Sequence, residues 1–183
     1  PVIRVNIVLV STETGVGNVL KVVQEHQSDR RNVVIKITSE ISIPDEPHID
    51  AILEFQQGSK PYPELKRFLR LYKENVEKRS LLCYDFRDFF MLIRGRNVIS
   101  IVSYEYRENI TEALDQLKSV KTHEGVRYLL YFSVDKCDND EIGNRQASIR
   151  DFMDAFPCEN ITYWNIGESS SQIVALFASI PIE

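Results

Sequence analysis

Short β-branched runs alternate with segments of helical periodicity along the whole of this sequence, and that alternation restricts the fold more than any single motif. Val2 to Val10 is a Val/Ile-rich run that stops at Ser11-Thr12-Glu13-Thr14-Gly15, the pattern of a buried strand followed by a turn. From Val16 to His26 the apolar residues Val16, Val19, Leu20 and Val23 fall at helical spacing. Val33–Thr38 and Ile49–Phe55 read as strands, with Pro44 and Pro47 marking a loop between them. Gly58, Pro61 and Pro63 lead into a helix whose apolar face is Leu65, Phe68, Leu69, Tyr72 and Val76. Further strands are expected at Ser80–Tyr84, Val98–Tyr104, Arg127–Ser133 and Ile161–Trp164. Helices are expected at Ile110–Lys118, at Gln146–Phe156 before Pro157, and at Ser169–Ile180 before Pro181. Such an order predicts a mainly parallel sheet with helices on both faces.

The chain has 183 residues, within the ~100–200 usual for one domain, so 1–183 is expected to form a single unit around one core. Its opening at Pro1 and its closing Ser179-Ile180-Pro181-Ile182-Glu183 suit a domain excised from a longer polypeptide or a processed whole protein. No apolar run approaches the ~18 residues of a membrane-spanning helix, and no secretory leader pattern is present. A net charge of −5 without a basic stripe argues against nucleic acid as a partner. Cys83, Cys137 and Cys158 are odd in number and widely spaced, and His26, His48 and His123 are equally scattered. That arrangement offers neither a disulfide framework nor a zinc site, and it points to a reducing, cytoplasmic setting. GxSxG and Ser-His-Asp or Cys-His signatures are absent, and Asp50 stands at a strand start rather than at the strand end a phosphoacceptor would need.

The turn after the first strand reads Val10-Ser11-Thr12-Glu13-Thr14-Gly15-Val16-Gly17-Asn18-Val19-Leu20. A working phosphate loop in that place is GxxxxGK[ST], where backbone amides cradle phosphate, Lys neutralises it and a hydroxyl holds magnesium. Aligned on Gly17, Thr12 replaces the first Gly, Asn18 the Lys and Val19 the hydroxyl, so charge and metal ligand are both lost. The plain alternative is an ordinary strand-to-helix turn. Thr14–Leu20 nonetheless resembles the TGVGKSSL loop of Ras-like small GTPases.

Later segments extend the resemblance in order. Cys83-Tyr84-Asp85-Phe86-Arg87-Asp88-Phe89 is similar to the family's DxxGQ, with Asp85 in the metal-associated position, Asp88 for Gly and Phe89 for Gln. Val98–Ile110 resembles the VYD-type strand and helix start, and Asp135-Lys136-Cys137-Asp138 resembles NKxD with Asp135 for Asn. Asn165-Ile166-Gly167 stands where Ser-Ala-Lys would be, ahead of the family's closing helix. The resemblance implies a Ras-like fold, α/β with a mainly parallel six-stranded sheet, and leaves Pro63–Lys78 as an insertion or a relocated switch element.

With Lys, hydroxyl, Gly and Gln all lost, the implied function is that of a non-catalytic pseudoGTPase. No catalytic, cofactor-binding or metal-binding residue is expected, and neither a cofactor nor nucleotide. The expected partner is protein. Among such domains the resemblance is greatest to those inside large FF-repeat Rho GTPase-activating proteins, which implies a role in actin and small-GTPase signalling. Centromere protein M of the kinetochore and a GTP-binding Roc-like domain are the alternatives. Lys66, Arg67, Arg70 and Lys73 read as the solvated face of a helix. Phe86, Phe89 and Phe90 read either as an exposed binding patch or as core.

Overall fold

A computed structural model describes residues 4–26, 30–38, 40–76, 86–105, 110–117, 126–134, 147–152, 154, 163–168 and 173–182. Seven strands form one sheet: β1 (Arg4–Val10), β2 (Arg30–Lys36), β3 (Ala51–Phe55), β4 (Gly95–Glu105), β5 (Arg127–Val134), β6 (Tyr163–Glu168) and β7 (Ile173–Pro181). Around it lie α1 (Glu13–Glu25), α2 (Pro61–Val76), α3 (Phe86–Ile93) and α4 (Ile110–Leu117), with a further helical stretch at 147–152. The strand order is β1-β2-β3-β4-β7-β5-β6. Neighbours β1–β2, β2–β3, β3–β4 and β5–β6 are parallel, whereas β7 is antiparallel to both β4 and β5.

The fold is mixed α/β, and two expectations need correction. The sheet has seven strands rather than six, and it is mixed: four of its pairings are parallel, but β7 is antiparallel to both neighbours. The segment expected to be the closing helix, Ser169–Ile180, contributes strand β7 instead. Residues Val174 to Ser179 are all buried, because β7 lies between two strands and has helices on both faces. An apolar run buried on both faces carries no alternation, and periodicity cannot tell it from a buried helix. The expected strand Ser80–Tyr84 lies outside the described residues.

Side-chain alternation along the strands divides the interior into two layers. On one face Val19 and Val23 of α1, with Ile41 and Ile43 from the β2–β3 connection, cover Val10, Val34 and Ile52. Farther along that face Ile110, Ala113, Leu114 and Leu117 of α4, with Ile149 and Phe152, cover Tyr128, Leu130, Val174 and Leu176. The opposite face carries α2 and α3, whose Leu65, Phe68, Phe89, Leu92 and Ile93 pack on Val33, Ile35, Leu53, Ile99, Ile101 and Phe177. The steps β1→β2 and β3→β4 run the same way across the sheet, yet their helices lie on opposite faces, so the two crossovers have opposite hands.

The α2–α3 layer centres on aromatic rings. Phe89 is fully buried, 5.8 Å from the rings of Phe68, Tyr72 and Phe177. Tilted and edge-on rings at that spacing add about 0.5–1.5 kcal/mol per pair beyond area burial. Gly95 (φ +85) turns the chain out of α3 into β4, with its amide donating to the Asp50 carbonyl at 3.0 Å. A side chain at that φ is strained, which favours glycine there.

Candidate functional site

In α/β sheets ligands collect at the carboxyl ends of the strands, so the β1–α1 junction comes first. Thr12 has extended backbone (φ −143, ψ 152) and caps α1: its Oγ1 accepts from the Gly15 amide at 3.2 Å. The same amide donates to the Thr12 carbonyl at 3.0 Å. Helix α1 therefore begins at Glu13, and Gly15 and Gly17 are helical rather than parts of a loop. Neither has a positive φ. A Cβ on Gly17 would meet nothing within 4 Å, while one on Gly15 would lie 3.2 Å from Thr12 Oγ1. Asn18 is exposed, and Val19 is buried in the core.

The charge at this junction is unfavourable for an anion. Glu13 opens the helix, and its Oε1 accepts from the Ser42 amide at 3.1 Å. Lys36, at the end of β2, is matched by Glu54 of β3 at 2.6 Å, with side chains only 12% and 22% exposed. The Lys36 charge is thus already neutralised. A helix start binds phosphate through free amides and positive charge; here Thr12 takes the Gly15 amide, and the first turn carries a carboxylate.

The remaining motif residues do not converge on this junction. Asp88 and Phe89 lie in α3, on the face of the sheet opposite α1. Magnesium and γ-phosphate need the two segments side by side, and the sheet separates them. Phe89 is core; Phe90 is half-buried beneath the Arg31 guanidinium, 5.6 Å from the ring centroid. Met91, beside them, is 48% exposed. Asn165-Ile166-Gly167 belongs to strand β6 rather than to a loop. Asp85 and Asp135–Asp138 lie outside the described residues. Among the described residues no three His, Cys, Asp or Glu side chains gather as a metal site, and no helix is long and apolar enough to cross a membrane.

Polar order concentrates instead at the amino ends of the parallel strands. Asn32, fully buried in β2, accepts from Asn6 Nδ2 at 3.0 Å and donates to the His48 carbonyl at 3.0 Å. Arg30 Nη1 donates to Asn6 Oδ1 at 2.9 Å. Asp50 receives both the Asn32 amide and Arg31 Nη1 at 2.8 Å. On the other face, buried Asn97 donates to the Ile93, Arg94 and Gly95 carbonyls at 2.6, 3.2 and 3.2 Å. Arg127 donates to the Met91 carbonyl at 2.8 Å and to Asn97 Oδ1. Burial lowers the Arg127 pKa by desolvation. A cation and an amide thereby hold the carbonyl end of α3, where the helix dipole is negative. None of the sequence motifs points to this network; its signal is asparagine set inside β-branched runs, where Asn is otherwise depleted.

No protein-family model matches this chain, and no curated protein matches it. Solved structures do. CetZ from Methanosaeta thermophila superposes with a TM-score of 0.60 at 12% identity, covering 97% of this chain and 61% of that one. CetZ1 from Haloferax volcanii, a GDP-bound monomer, gives 0.59 at 12% identity, covering 97% and 64%. An empty FtsZ dimer from M. jannaschii gives 0.57 at 11% identity, covering 97% and 63%. The chain thus spans 61–64% of the length of these structures, and at such identity the likeness concerns the fold. The solved structures that share this fold are FtsZ and CetZ proteins rather than Ras-like GTPases. The Ras-like resemblance is therefore corrected, along with the Rho GTPase-activating, actin-signalling, kinetochore and Roc-like functions drawn from it. Of the motifs whose order carried it, the glycine pattern lies inside helix α1 and Asn165-Ile166-Gly167 lies in strand β6.

Proposed function

We propose that this chain is a non-catalytic module of FtsZ/CetZ-like fold that acts through protein contacts and does not use nucleotide. The observation that carries the reading is the closed start of α1, where Thr12 caps the helix and Glu13 adds a carboxylate to its first turn. The Lys36–Glu54 pair removes the nearby cation that could offset it. The net charge of −5 likewise favours protein over nucleic acid as the partner.

A second reading, retained nucleotide binding, is favoured by the GDP recorded with the CetZ1 neighbour. Calorimetric titration with GDP and GTP, with and without magnesium, separates the two. The expected result is no saturable heat and no thermal shift. A nucleotide at a hundredfold excess over its Kd would stabilise the fold by about 2.7 kcal/mol, which a melt detects easily. Stoichiometric binding would establish the second reading.

A further inference from the structure

Strand β1 is an edge of the sheet, paired in parallel with β2 from Arg4↔Arg30 to Val10↔Lys36. The Ile37 amide donates to the Val10 carbonyl at 2.9 Å, so the Val10 backbone turns inward toward β2. By the two-residue alternation of a strand, Val8, Asn6 and Arg4 turn the same way. The N–H and C=O groups of Val5, Ile7 and Leu9 then point out from the edge, and among the described residues nothing pairs with them. These three residues also share one side-chain face. Val5 and Ile7 are half-buried against the α2–α3 core, and Leu9 is 48% exposed. A long apolar edge of this kind is a template for another strand.

We propose that β1 pairs antiparallel with β1 of a second copy, centred on Ile7, so that the sheet continues across a two-fold axis. In that register Ile7 faces its own counterpart, and Val5 faces Leu9 of the second copy. All three outward residues then occupy hydrogen-bonded positions. Their side chains continue the apolar layer across the junction, and the exposed Leu9 is covered. Charge selects the direction. Arg4 is the one charged residue of β1 (RVNIVLV), and a parallel in-register pair would set it against itself. The antiparallel pair moves Arg4 to the end where α1 of the second copy begins with Glu13. A one-residue slip would oppose inward- to outward-turned backbone groups and lose the bonds.

This deepens the reading of a module that works by protein contact, and its test is separate from the nucleotide titration. Sedimentation velocity over a concentration series is expected to find a reversible dimer. Leu9→Lys should weaken it by at least about tenfold while leaving the circular-dichroism spectrum unchanged. Under mild oxidation, Ile7→Cys should form an intersubunit bridge that peptide mass mapping places at residue 7. Val5→Cys should not, because its two copies would be about four residue steps, roughly 13 Å, apart. A monomer at every concentration overturns the proposal. So does a Leu9→Lys variant that dimerises as well as the parent, or equal bridging at residues 5 and 7, the mark of a parallel pair. If Leu9→Lys fails to fold, the residue 5 and 7 bridging patterns still decide.

Discussion

The two ends of the parallel strands are built differently. At the carboxyl ends of β1 and β2 there is one capped helix start, one carboxylate and one closed ion pair. At the amino ends, buried Asn32 and Asn97, with Asp50 and Arg127, tie strands, loops and the end of α3 into continuous hydrogen-bonded networks. An α/β protein that holds a ligand usually invests its polar groups at the carboxyl ends. Here they are invested in holding the strands and α3 in place. The difference shows how polar residues within strands can be structural while a glycine-rich turn remains only a helix start.

Three substitutions probe that contrast. Asn97→Ala should have the largest effect. It removes the donor to three carbonyls and an acceptor for Arg127, leaving buried groups unpaired. A loss of about 2–3 kcal/mol in urea unfolding is expected; a near-neutral result would mean that the amino-end network does not hold the fold. Thr12→Ala should cost about 1 kcal/mol, the usual loss of a helix cap. If it costs nothing, the amides at the start of α1 are satisfied in another way, and the junction is more open to an anion than its geometry indicates.

Gly17→Ala should be the smallest and opposite in sign. It puts a better helix former into α1 where a Cβ has open space, so a gain of up to about 1 kcal/mol is expected. Thermal melts measure it readily. A clear loss of stability would show that Gly17 needs a backbone shape only glycine adopts, and would revive a loop at this junction.

Much of the local structure was legible in the sequence. The β-branched runs placed β1 to β5 to within a few residues, and apolar spacing located most of α1 and α2. Phe89 as core was one of the two readings open for the aromatic cluster. The site was far less legible. Thr14-Gly15-Val16-Gly17 supports either a phosphate loop or the first turns of a helix, and the choice turns on the Thr12 cap, a hydrogen bond no spacing rule reports.

For β1 to β5, α2 and α4 the sequence by itself determined where the chain runs extended or helical, because side-chain branching and apolar period act over a few neighbouring residues. Only the tertiary structure decided that Ile173–Pro181 is a strand between β4 and β5, and that α3 lies across the sheet from α1. Both depend on contacts between residues far apart in the chain. Burial on two faces makes an apolar run a central strand, and that burial exists only once β4 and β5 stand on either side of it.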